Sequence, residues 1–168
     1  AGQKTTEFAA KGESVKELSG LAHWFPLDEA AGKELKNEVS GGIATLEKGK
    51  LQSSDREGSK ALKLDGRTQF LCSANAPELK ENEAFSFAAW VKADGRSGGA
   101  LFSRMDVSKA YRGWDLWIQG ANIGTHIVSS WSGDALKVVS VDGLKKDTWQ
   151  HVVVSYDGSK KAAGVKIY

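Results

Sequence analysis

At 168 residues the chain is long enough to bury one sizeable core, and its formal charge of +2 supplies no pull toward nucleic acid or an anionic membrane. Its 40% hydrophobic and 26% charged residues are ordinary for a globular protein, and no apolar run approaches the roughly 20 residues that cross a bilayer. Nineteen glycines against two prolines, with six tryptophans, suit tight turns between short strands. The single cysteine, Cys72, excludes an internal disulfide; inside QFLCSAN it reads as a buried, inert thiol.

Residues 1–20, AGQKTTEFAAKGESVKELSG, start without Met and carry neither a sustained apolar face nor the apolar h-region of a signal peptide. They are expected to form a leader or linker, disordered or partly helical. A turn of helix over SVKELSG would close at Gly20. From Leu21 the texture changes to short strands, and residues 21–168 are expected to form one domain. LAHWFPL is apolar and aromatic, and DEAAGKELKNEVSGG reads as a polar loop. IATLE, ALKLDG and TQFLCSA are strand-length pieces, followed by the loop APELKENEA.

In FSFAAWV, Phe85, Phe87, Ala89 and Val91 share one face, and Ala88 and Trp90 share the other. Both faces are apolar, which predicts a strand packed on both sides. ALFSR, WDLWIQ, GTHIVSSW and LKVVSVDG follow, closed by TWQHVVVSYDG. In WDLWIQ, Trp114, Leu116 and Ile118 alternate with Asp115, Trp117 and Gln119, as a half-exposed strand requires. No helical periodicity of any length follows Leu21, so the pattern predicts an all-β sandwich or barrel.

The order HWFPLDEAAGKELKNEVSGG, ALKLDG, FSFAAWVKAD and TWQHVVVSYDG…GVKIY resembles the laminin-G-like domains of the concanavalin A-like lectin/glucanase superfamily. The strongest marker is Trp149-x-His151-Val152-x-Val154-x-Tyr156-Asp157-Gly158. YRGWDLWIQGANIGTHIVSSWSGDALKVVS is similar to the version found in large, exported, planctomycete-type multidomain proteins with cytochrome-like segments. The resemblance spans about Leu21 to Tyr168. It implies an antiparallel β-sandwich of jelly-roll type, in an extracellular, cell-surface or periplasmic protein. In the family VKIY would run on into a turn and further strands, so it also implies an incomplete domain lacking its C-terminal strands. The cytochrome function is not implied, because no Cys-x-x-Cys-His motif is present.

Retaining hydrolases of this fold carry E-x-D-x-E or E-x-D-x-x-E on one strand, and the sequence lacks that pattern. Glu81-Asn82-Glu83 reads as a solvated turn, and no Gly-x-Ser-x-Gly elbow marks a triad. A non-enzymatic protein is therefore expected, with a glycoside hydrolase disfavoured. His23, His126 and His151 lack metal-like spacing and read as packed or hydrogen-bonded strand residues. Asp28, Asp65, Asp106 and Asp134 lie in or beside loops without a dense acidic array. The one cofactor this admits is a structural calcium, with its ligands unassigned.

Sugar recognition needs aromatic faces with polar side chains beside them. KAYRGWDLW and SSWSGD offer Tyr111, Arg112, Trp114, Asp115, Trp117 and Trp131 as candidate ligand-binding residues. The first expectation is therefore a carbohydrate-binding module contacting a polysaccharide or glycan. The alternative is a structural or protein-interaction domain docked on neighbouring domains of a larger protein. Three or more coplanar exposed aromatics would favour sugar; a broad apolar patch would favour docking.

Overall fold

The computed structural model describes residues 15–28, 32–50, 52–56, 58–67, 71–73, 78–95 and 98–168. Most of the expected leader, and the side chain of Cys72, lie outside the described residues. The chain divides into two compact units, Ala1–Asn75 and Ala76–Tyr168.

In the first unit a single 3-10 turn, Val15–Glu17, precedes Gly20 at φ +79°. LAHWFPL forms no strand. The segment expected to be a polar loop instead contains β1 (Glu34–Lys36), which pairs antiparallel with β2 (Ile43–Leu46). Asn37 is why so polar a stretch folds. Its side chain is 1% exposed, and its Oδ1 accepts from the backbone amides of Trp24, Val39 and Ser40 at 3.1–3.2 Å. Its Nδ2 donates to His23 Nδ1 at 2.7 Å. A buried amide so fully bonded nucleates a turn that propensity alone misses. Leu35, Ala44 and Leu46 form the small core, with Phe25, Leu27 and Leu62 against it. β3 (Gln52–Arg56) and β4 (Ser59–Lys63) make a hairpin, and β5 (Leu71–Ser73) joins β2.

The second unit is a two-layer antiparallel sandwich. One sheet contains β7 (Gly99–Asp106), β8 (Arg112–Gln119), β9 (Asn122–Ser130) and β10 (Asp134–Gly143), in the order β10-β9-β8-β7. The other contains β6 (Phe85–Val91), β11 (Gln150–Tyr156) and β12 (Val165–Ile167), in the order β12-β11-β6. Alternation delivers Val91, Val152, Val154 and Tyr156 from one sheet against Leu116 and Ile123 from the other. Of the all-β sandwich or barrel expected from the strand pattern, the sandwich is observed.

The expectation that β6 is packed on both faces is corrected. Phe85, Phe87 and Ala89 are half-buried and Val91 is buried, but Trp90 on the opposite face is 48% exposed. Trp90 stacks on His151 of β11, ring centres 5.0 Å apart. A large amphipathic ring can cover a sheet face without a second layer over it.

The Tyr156-Asp157-Gly158 marker has a structural role. The Tyr156 hydroxyl donates to the Glu81 carbonyl at 2.7 Å and accepts from the Lys160 amide at 2.8 Å. Gly158 has φ +80°, and a Cβ there would stand 2.7 Å from the Asn82 carbonyl oxygen, so only glycine fits. Glu81 pairs with the Lys160 ammonium. The Glu81–Glu83 turn is thus clamped beneath the end of β11.

Candidate functional site

The outward face of the four-stranded sheet is organised by the β8–β9 hairpin. A two-residue turn at Gly120-Ala121 sets Gln119 opposite Asn122, which places Asp115 opposite His126 and Trp117 opposite Gly124. Thr125, on the inward face, donates its hydroxyl to the Asp115 carbonyl at 2.6 Å and locks this register.

Asp115 and His126 are 7% and 6% exposed, although they lie on the outward side. Asp115 Oδ1 accepts from the His126 backbone amide at 2.7 Å, and both carboxylate oxygens stand 3.0–3.1 Å from His126 Nδ1. A carboxylate only accepts, so Nδ1 carries the proton and the ring orientation is set. Aromatic rings cover the pair. Trp117 tilts against His126 at 5.1 Å, and Trp131 meets it edge to face at 5.3 Å. Gly124 makes room for Trp117: a Cβ there would lie 2.3 Å from the indole nitrogen. Val128, 5% exposed, shares this outward parity and belongs to neither hydrophobic core.

Two connections form the rim. After β7, Asp106 caps the 3-10 turn Val107–Lys109, accepting from the Ser108 amide at 3.0 Å and its hydroxyl at 2.6 Å. Those bonds hold its carboxyl below the usual aspartate range. Ala110 and Tyr111 then take left-handed backbone conformations, φ +52° and +59°. The Ala110 carbonyl accepts from the Trp131 amide at 2.8 Å, tying the β7–β8 and β9–β10 connections together. This brings the Tyr111 and Trp131 rings to 6.3 Å with 63° between their planes. Each is 46% exposed. Beside them a shallow pocket of about 260 Å³ is lined by Trp131, Ser132, Gly133, Ala135 and Lys137. Lys137 reaches across the sheet to 5.3 Å from the Trp117 ring centre.

Of the six candidate residues, four gather on this surface: Tyr111, Asp115, Trp117 and Trp131. Trp114 has the opposite parity and lies between the sheets, stacked on Phe87 at 5.2 Å and edge-on to Phe102 at 6.2 Å. Arg112 is exposed at the start of β8, in register with Asp106. His126 and Lys137 complete the surface but were not among the candidates. The signal for His126 was available: pairing counted back from a turn at Gly120-Ala121 puts it across from Asp115. Lys137 needed the β9–β10 register, which a shift near Ala135 obscures. Neither discriminating surface is present in pure form. Two rings are exposed and not coplanar, and Lys137 and Ser132 interrupt any apolar patch.

Among the described residues, no three His, Cys, Asp or Glu side chains gather as a metal site. Asp65 accepts from the Arg67 amide at 2.9 Å, so like Asp106 it is engaged in its own turn.

The two sheets share one apolar core between them, and the four-stranded sheet presents Tyr111, Trp117 and Trp131 on its outward side. Residues 65–168 match a laminin G family described as the concanavalin A-like lectin/glucanases superfamily, and the chain belongs to that superfamily. It is also similar to the crystal structure of an S-layer domain-containing protein (residues 221–444) from Clostridium thermocellum. The identity is 19% and the TM-score 0.57, over 86% of this chain and 67% of that one. No curated protein matches.

Proposed function

We propose that the chain is a non-catalytic recognition module that binds a glycan through the outward face of the β7–β10 sheet. One observation carries this: the ring series Tyr111–Trp131–His126–Trp117 beside a pocket lined by Ser132 and Lys137. An exposed indole stacks on sugar C–H groups, and adjacent polar side chains meet hydroxyls. Two exposed rings at an angle make a cleft for one or two sugar units, such as a chain end, in place of a flat platform for a long chain. Asp115 holds the His126 ring in place beneath the aromatic series.

The chain acts, on this proposal, within a larger exported or cell-surface protein of the multidomain kind its sequence resembles. The similar fold of an S-layer domain-containing protein supports that setting. The test is a glycan array probed with the wild-type chain and with Trp131→Ala, followed by tryptophan-fluorescence titration of each hit. Saturable binding that Trp131→Ala removes is expected. An array on which the two proteins behave alike would refute the proposal and leave protein docking as the reading.

A further inference from the structure

We infer that the Trp131–Lys137 pocket selects sugars bearing a carboxylate, with the Lys137 ammonium as counter-charge; this rests on the glycan-binding proposal above. Lys137 is exposed on β10, directly across from His126. Its ammonium rests 5.3 Å from the Trp117 ring centre. The ring's quadrupole holds the cation in place while its head remains open to an anion. Among the described residues Lys137 has no ion-pair partner, so none of them takes up its charge.

Two of the neighbouring carboxylates are engaged within the fold. Asp115 is buried and bonded to the His126 amide and ring. Asp106 serves the Val107–Lys109 turn and stands 3.5 Å from the Lys109 ammonium. Asp134 precedes Ala135 on β10 and does not line the pocket. Arg112, exposed and without an ion pair among the described residues, adds to the positive field of this end of the sheet. The pocket thus combines one aromatic wall, one hydroxyl at Ser132 and one unpaired ammonium. A hexuronate fits that set, with its ring C–H face on Trp131 and its single negative charge on Lys137. A neutral hexose would leave the ammonium without a partner.

The test pairs each acid with its own ester, so only the charge differs. Trisaccharides of galacturonate, glucuronate and mannuronate, and their methyl esters, are titrated into the full chain by calorimetry at low and high salt. At least one acid is expected to bind about fivefold tighter than its ester at low salt, the difference one partly exposed ion pair supplies, and to lose that margin at high salt. Lys137→Gln should bring the ratio of acid to ester affinity to one, whatever it does to the affinity for the ester itself, while Lys137→Arg should keep the margin. Equal binding of acid and ester would overturn the inference and leave glycan binding standing. So would an acid preference that survives in Lys137→Gln. If neither acids, esters nor the neutral array sugars bind, glycan recognition itself fails, and this inference with it.

Discussion

Two aromatic groups sit back to back across one four-stranded sheet. Phe87, Phe102 and Trp114 meet between the layers; Tyr111, Trp117 and Trp131 ring the buried Asp115–His126 pair on the outer side. Trp114 and Trp117 are three positions apart on one strand, which suffices to put them on opposite faces. The inner group is held by shape and by exclusion of water. The outer group is held by hydrogen bonds beneath it and remains partly wet. In this fold a tryptophan's role follows from strand parity, and its chemical type says little.

That contrast predicts a graded series of effects. Trp114→Ala empties space between the sheets and is expected to cost about 3–5 kcal/mol in urea unfolding. Trp131→Ala should stay within about 1 kcal/mol on the same measurement, because its ring is 46% exposed, while abolishing glycan binding. Comparable losses of stability from the two would break the comparison. Asp115→Ala leaves the His126 amide and ring without their acceptor inside a covered site, at a cost of about 2–3 kcal/mol by denaturant melts. Gly124→Ala sharpens the distinction between the faces. It must displace the Trp117 indole, so the near-ultraviolet circular dichroism should change while far-ultraviolet strand content stays constant.

The smallest expected effect concerns acid. Asp157 is held below the 3.8 of a free aspartate, chiefly by the Ser159 hydroxyl and then its amide. A lowered folded value means stability that is present above the unfolded value and fades as pH falls through the folded one. Ser159→Ala should therefore lower the urea midpoint slightly at neutral pH, and the gap from wild type should close below the 3.8 of free aspartate. A gap that persists in strong acid would assign Ser159 a role unconnected with Asp157. Asp157 is exposed, so the change is read as a shift in midpoint only.

Alternation, turn chemistry and the Tyr156-Asp157-Gly158 strand determined the all-β fold, and alternation in WDLWIQ determined the inward face of β8, before any coordinates. Period-2 patterning is local, and a strand cannot bury both a residue and its neighbour on the same side. Four members of the candidate site, Tyr111, Asp115, Trp117 and Trp131, were legible as aromatics and an acid. Only the tertiary structure decided three further matters. It showed a strand inside the polar stretch around Asn37, because that turn depends on bonds to His23 and Trp24 more than ten positions away. It left Trp90 on an open face that apolar composition alone suggested was covered. It joined His126 and Lys137 to the aromatic surface, because a cross-strand pair is set by register, and register is closed by the turn and bulges between strands and not by the residues that meet.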